Sequence, residues 1–261
     1  MNAFFVPLGG SRYRSTEHTI GPWNNESQHL GPPSALLVRE FERTEPRDAH
    51  LARVTFEVLG PVPVADLEVQ AAVERPGRSV ELLTGTLSHE GRPVMTAKAW
   101  RISVGDTDAV RGGASPAVGP PSDAEPMLVP EGWSGGYLAA IEWLSLSGGI
   151  FAPGDAVVWG RPKVETVEGD ESTPLQKLFS IADSASGVSS RLDIRKWFAI
   201  NTDLSVHLFR QPEGEWFALE ANTVIGPDGA GVASSVLHDL TGPVGRTAQA
   251  LFVRERGNRG S

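Results

Sequence analysis

The sequence predicts an α+β fold built twice, with antiparallel sheets each wrapped around a central helix. Three observations predict it. The first is that the closing segments of the two halves resemble each other. Thr96-Ala97-Lys98-Ala99-Trp100-Arg101-Ile102 ends the first, and Thr247-Ala248-Gln249-Ala250-Leu251-Phe252-Val253 ends the second, with Gly91 and Gly242 just upstream. The second is a shared order: strands, one helix, then a run of strands. The third is the Pro/Gly/Ser-rich stretch 105–136, a linker composition that sustains neither helix nor strand. The expected modules are therefore 1–104 and 137–261. Copies that differ in their polar residues suggest a pseudo-dimer with one specialised site.

In the first half, Gly31-Pro32-Pro33-Ser34 leads into a helical stretch, Ala35–Arg43, with proline where a missing N–H costs least. Four alternating strands follow. Val54, Phe56 and Val58 share a face, as do Leu67, Val69, Ala71 and Val73, then Val80, Leu82 and Thr84, then Val94, Thr96, Trp100 and Ile102. Turns fall at Arg75-Pro76-Gly77 and His89-Glu90-Gly91.

In the second half, Tyr137–Leu146 and Ala156–Trp159 read as strands. Ser172-Thr173-Pro174 then opens a helix with capping residues and a first-turn proline. Leu175, Leu178, Phe179, Ala182 and Ala185 form its apolar stripe, and Gly187 ends it. The remaining strands are Asn201–Phe209, Trp216–Thr223, Val232–His238 and Val244–Val253.

With 261 residues, two modules can each bury a core. A hydrophobic content of 40% is that of an ordinary globular protein. No apolar run reaches about 18 residues, so no membrane span is expected. The start, Met1-Asn2-Ala3-Phe4-Phe5-Val6-Pro7, lacks the pattern of a signal peptide, and the reading is cytoplasmic. With no cysteine there is no disulfide, thiolate nucleophile or Cys-bound metal. A net charge of −9 argues against nucleic acid as a partner. The six histidines show no metal-ligand spacing on one helix, and no metal or cofactor is expected.

Three segments carry a family resemblance: Phe179-Ser180-Ile181-Ala182-Asp183-Ser184-Ala185-Ser186-Gly187, Ile200-Asn201-Thr202-Asp203-Leu204-Ser205-Val206-His207-Leu208-Phe209-Arg210, and Arg246-Thr247-Ala248-Gln249-Ala250. With the duplicated layout, the chain resembles the thioesterase II (TesB-like) acyl-CoA thioesterases, which have the double-hotdog fold. The resemblance implies acyl-CoA as substrate, hydrolysis to a free acid and CoA, a place in fatty acid metabolism, and association into a homo-oligomer. It also implies a site in which an Asp, a hydroxyl and a Gln hold the hydrolytic water. These positions fall on Asp183, Asn201 and Gln249, Asn201 departing from the hydroxyl pattern.

The residue chemistry fits. Thioester hydrolysis needs an activated water and donors for the developing oxyanion. A carboxylate on the inner helix can be the base, and amides can hold the water. By alternation Asn201 sits with Asp203, Ser205 and His207, so its direction stays open, as does a purely local hydrogen-bonding role. Lys98, matched to Gln249, reads as an inner-face residue that either snorkels or meets an anionic part of a ligand. Two other readings of function stand beside hydrolysis. One is a non-catalytic acyl-CoA binder, which the Asn at 201 keeps open. The other is an enoyl-CoA hydratase, which the lack of a histidine after Asp183 disfavours. Gly132-Trp133-Ser134-Gly135-Gly136 fits G-x-S-x-G, but its surroundings are not strand and helix. Gly226–Gly231 reads as a hairpin turn rather than a dinucleotide loop.

Overall fold

The computed structural model describes residues 2–257; Met1 and residues 258–261, the outermost parts of the expected modules, lie outside the described residues. The N-terminal half supplies β1 (Ala3–Gly9), β2 (Arg12–Ser15), α1 (Gly31–Arg43), β3 (Ala49–Val58), β4 (Asp66–Arg75), β5 (Val80–His89) and β6 (Arg92–Ser103). After it come β7 (Glu125–Pro126), α2 (Gly136–Ala140), β8 (Ile141–Gly149), β9 (Ala152–Pro162), β10 (Glu165–Val167), α3 (Pro174–Ala182) and α4 (Ala185–Val188). The chain closes with β11 (Trp197–Asn201), β12 (Asp203–Leu208), β13 (Phe217–Ile225), β14 (Ala230–Asp239) and β15 (Gly242–Glu255).

All strands join one 15-stranded sheet in the order β10-β1-β2-β4-β5-β6-β3-β12-β15-β14-β13-β9-β8-β7, with β11 also pairing β15. The halves meet at the antiparallel pair β3–β12, where Phe56 faces Leu204 and Val54 faces Val206 on the core side. One apolar core runs across that seam, from Phe41 and Phe56 to Phe179 and Phe217. The outermost strands, β10 and β7, have only 3 and 2 residues, which leaves little open edge for unwanted pairing. This is a double hotdog, with α1 and α3 side by side within the curved sheet. No helix of the described residues is long and apolar enough to cross a membrane.

Several elements differ from expectation. α1 starts at Gly31, with both prolines in its first turn, where their missing N–H groups break no helical bond. Gly31 is required there: a Cβ would collide with the carbonyl oxygen of Ser180, so its absence lets α1 abut the C-terminal end of α3. α3 is capped by Thr173, whose hydroxyl accepts the Gln176 N–H, but it stops at Ala182. Gly187 lies inside the separate turn α4 rather than ending the helix. Tyr137 belongs to α2, not to a strand, and β1 and β2 were not expected. The 105–136 segment is docked: Gly119 accepts from Trp159 Nε1 at 2.9 Å, and Ser115 Oγ accepts from Arg246 at 3.2 Å.

The faces of β5 and β6 are the reverse of a hydrophobic reading. Val80, Leu82, Trp100 and Ile102 point outward, while Glu81, Leu83, Met95, Ala97, Ala99 and Arg101 point into the core. The pattern misleads because the inner face contains a buried ion pair, Glu81–Arg101. Lys98 accordingly lies on the outer face, paired with Glu74, and is not an inner-face residue. The two Thr-Ala-x-Ala runs are thus not equivalent in space: Thr247 and Gln249 face in, whereas Thr96 and Lys98 face out.

Candidate active site

Asp183 is the residue on which the site converges. It caps the C-terminal end of α3, whose stripe of Leu175, Leu178, Phe179 and Ala182 is buried, and is itself only 5% exposed. Its Oδ1 accepts from Asn201 Nδ2 and from Gln249 Nε2, each at 2.7 Å. Gln249 Nε2 also donates to the Asp183 main-chain carbonyl at 3.2 Å, and the Leu30 N–H donates to the carboxylate. The structure therefore brings Asp183, Asn201 and Gln249 into one cluster.

A strand irregularity aims Asn201 inward. On β11, Asn201 pairs with Leu251 of β15, while on β12 Ser205 pairs with Ala248, so the register slips by one residue at Thr202. The extra residue is a β-bulge, which re-aims neighbouring side chains. Asn201 faces the core side with Leu251, although strict alternation would place it with outward Asp203, Ser205 and His207. Gln249 sits on the inner face of β15 opposite Ala233, which offers it no polar partner. Its Oε1 is buried and has no partner among the described residues.

Two further residues join the site. His29, from the turn before α1, places Nδ1 at 3.5 Å from Asp183 Oδ2, and the same nitrogen accepts the Gly31 N–H at 3.1 Å. Tyr137 stacks on the imidazole with ring centroids 3.7 Å apart and planes 8° apart. Its hydroxyl donates to the Ser180 carbonyl at 2.8 Å and meets Ser184 Oγ at 2.9 Å. Gly136 places it there: its φ of +58° and its close approach to the Ile20 carbonyl exclude a side chain. The sequence reading gives His29 no role in the site and places Tyr137 on a strand. The one signal was a histidine two residues before the Gly-Pro-Pro helix start.

Burial controls the charges. Desolvation pushes the Asp183 carboxyl up to about 7, against the hydrogen bonds from Asn201, Leu30 and Gln249, which favour the anion. Burial pushes His29 down to about 3, so the imidazole is neutral and its contact with Asp183 is not an ion pair at neutral pH. Tyr137 is raised by the same cause and keeps its proton. A carboxyl that ionises near neutrality, held by two amides and beside a neutral imidazole, can take a proton from water.

The matching place in the N-terminal half is plugged. Arg101 on β6 donates to the carbonyls of Thr44 and Glu45 at the end of α1, much as Gln249 reaches the carbonyl of Asp183 at the end of α3. Arg101 faces Glu81 on β5 and pairs with it out of solvent. Ser134 of the G-x-S-x-G run follows a turn rather than a strand and lines a shallow apolar groove of about 190 Å³ with Met127, Leu138 and Trp143.

Family models of the acyl-CoA thioesterase N-terminal domain and C-terminal domain match residues 19–102 and 121–253. No curated protein matches the chain. Among solved structures, one described as a putative thioesterase II from Thermobifida fusca YX is similar over 97% of this chain and 98% of its own, with 18% identity and a TM-score of 0.72. A hot dog fold protein from Alicyclobacillus acidocaldarius covers 96% and 95%, with 17% identity and a TM-score of 0.72. The acyl-CoA thioesterase II TesB2 of Mycobacterium marinum covers 98% and 97%, with 14% identity and a TM-score of 0.68. With both domain models matched in order over most of its length, the chain belongs to the TesB-like acyl-CoA thioesterase family.

Proposed function

We propose that the protein hydrolyses an acyl-CoA thioester to a free acid and CoA, using a water activated by Asp183. The observation that supports this most is the convergence of Asn201 and Gln249 on one oxygen of a buried carboxylate. With Oδ1 occupied by the two amides, Oδ2 is left to accept a proton from water. The unpartnered Oε1 of Gln249 gives that water a second acceptor. In the forward step the water oxygen bonds to the thioester carbon as its proton passes to Asp183. Collapse of the tetrahedral adduct breaks the C–S bond, and the thiolate leaves with that proton. Asn201, at the position where the resembling family has a hydroxyl that helps hold the water, supplies a hydrogen bond to the carboxylate.

The charged end of CoA needs cations at the mouth. Of the candidates near the site in sequence, Arg210 is committed to Asp239 through two 2.6 Å bonds, and Arg191 to Asp155 and the Thr223 carbonyl. Arg195, 87% exposed, is paired with Asp193 at 3.1 Å, and Lys196 is exposed just ahead of β11, so Lys196 fits the phosphates best. We place the working modules at 1–104 and 137–261, in the cytoplasm. Measuring thiol release by the purified protein from short, medium and long acyl-CoAs tests the reading. Release is expected with at least one of them. Binding of acyl-CoA without release would favour a non-catalytic binder, and consumption of enoyl-CoA without thiol a hydratase.

A further inference from the structure

We propose that His29, in its neutral form, is the electrophilic catalyst of the site, donating its Nε2–H to the thioester carbonyl oxygen and to the oxyanion that forms from it. The inference rests on the hydrolase reading and adds a residue from the N-terminal half.

An acyl-transfer site needs donors aimed at the carbonyl oxygen, and the first turn of a helix is a common source. Here α1 points its N-terminal end at Asp183, yet that end has none to offer. The Leu30 N–H goes to the Asp183 carboxylate, and the Gly31 N–H goes to His29 Nδ1. Pro32 and Pro33 have no N–H, and the Ser34 N–H bonds the Leu30 carbonyl. Both hydrogens of Gln249 Nε2 are also engaged on Asp183. With no free N–H in the first turn of α1, a side chain beside Asp183 can serve as the electrophile.

The Gly31 bond also fixes the imidazole tautomer. A neutral ring that accepts at Nδ1 carries its hydrogen on Nε2. At 3.5 Å from Oδ2 with Nδ1 already accepting, the ring is not arranged as an Asp–His dyad in which Nδ1 donates to the carboxylate. Among the described residues Nε2 has no partner, and the side chain retains 10% exposure. Burial keeps the ring neutral across the working range.

The ring is held for this task. Tyr137 stacks flat against it, and Trp23 lies against it at 5.9 Å with planes 30° apart. Tyr137 is anchored in turn to Ser180 and Ser184, the two ends of the short stretch that carries Asp183. Base and donor therefore share one aromatic brace. Tyr137 is a positioning residue, and His29 touches the substrate.

The test combines thiol-release kinetics on His29→Ala and His29→Gln with nitrogen-15 NMR of the imidazole in the wild-type protein. His29→Ala should lower kcat by about 100-fold or more, the scale for losing one oxyanion donor, with little change in KM. His29→Gln, which keeps an N–H at the Nε2 position, should recover at least about tenfold of that loss. NMR should show the Nε2–H neutral tautomer throughout about pH 5 to 9. Full kcat in a folded His29→Ala protein, with the wild type active, overturns the proposal alone. So does an Nδ1–H tautomer, or a ring that protonates within that range, whichever way the variants fold. A wild-type protein that releases no thiol overturns the hydrolase reading and this proposal with it.

Discussion

At the end of α3, Gln249 faces Ala233 across the β14–β15 ladder; at the end of α1, Arg101 faces Glu81 across β5–β6. Both long polar side chains reach back to helix-terminal carbonyls. The difference lies in the cross-strand neighbour. Alanine gives Gln249 no partner and leaves its amide oxygen unpaired, whereas glutamate holds Arg101 with a charge-assisted bond. One copy keeps a buried carboxylate held by two amides, and the other spends the same geometry on an ion pair. The two halves thus differ at two inward strand positions and at the helix C-cap, Thr44 on α1 and Asp183 on α3.

The comparison can be broken by transplanting the plug. Ala233→Glu combined with Gln249→Arg should replace the amide beside Asp183 with an ion pair and lower kcat by about 100-fold or more, since the water-holding group is lost. A folded double variant with near wild-type turnover would mean that Gln249 does not hold the water.

Opening the plug should act on stability instead. Arg101→Met leaves Glu81 buried with only Arg47 beside it, and unfolding measurements should show a loss of about 3 kcal/mol. Glu81→Leu with Arg101→Met should regain most of it, because an apolar pair of similar volume replaces a buried ion pair at little cost. Thiol release by either folded variant should change by less than about threefold. A large kcat defect there would show that the N-terminal half also turns over substrate.

Much of this asymmetry was legible in the sequence, because Asp183 breaks an apolar helix stripe and Gln249 a small-residue strand. The repeat that drew attention to Gln249 nevertheless misaligned its partner, Lys98. Alternation sorted the residues of β5 and β6 into two faces but could not tell which was inner, since the buried face carries Glu81 and Arg101 while the outer one carries Trp100 and Ile102. Asn201 could not be aimed because its direction depends on a one-residue bulge with no glycine or proline to mark it. His29 and Tyr137 were out of reach for another reason: their contacts cross between the halves, and only the close packing of Gly31 on α3 brings them to Asp183.

The smallest effect sharpens the comparison as a control. Lys98→Ala removes only an exposed ion pair on the outer face, worth about 0–1 kcal/mol, and should leave kcat and KM unchanged within error. A rise in KM would bring the outer face into ligand binding.

Asp183 as the base is tested most directly by the pH dependence of kcat/KM for thiol release, compared between the wild-type protein and Asp183→Asn. A base works ionised, so wild-type activity should rise with pH through a limb near 7, where burial places the carboxyl, and then level off. Asp183→Asn keeps size and hydrogen bonding but not the charge, so it should lose about 100-fold or more and lose that limb. A folded Asp183→Asn protein that keeps near-full activity, or keeps the same limb near 7, would contradict the assignment.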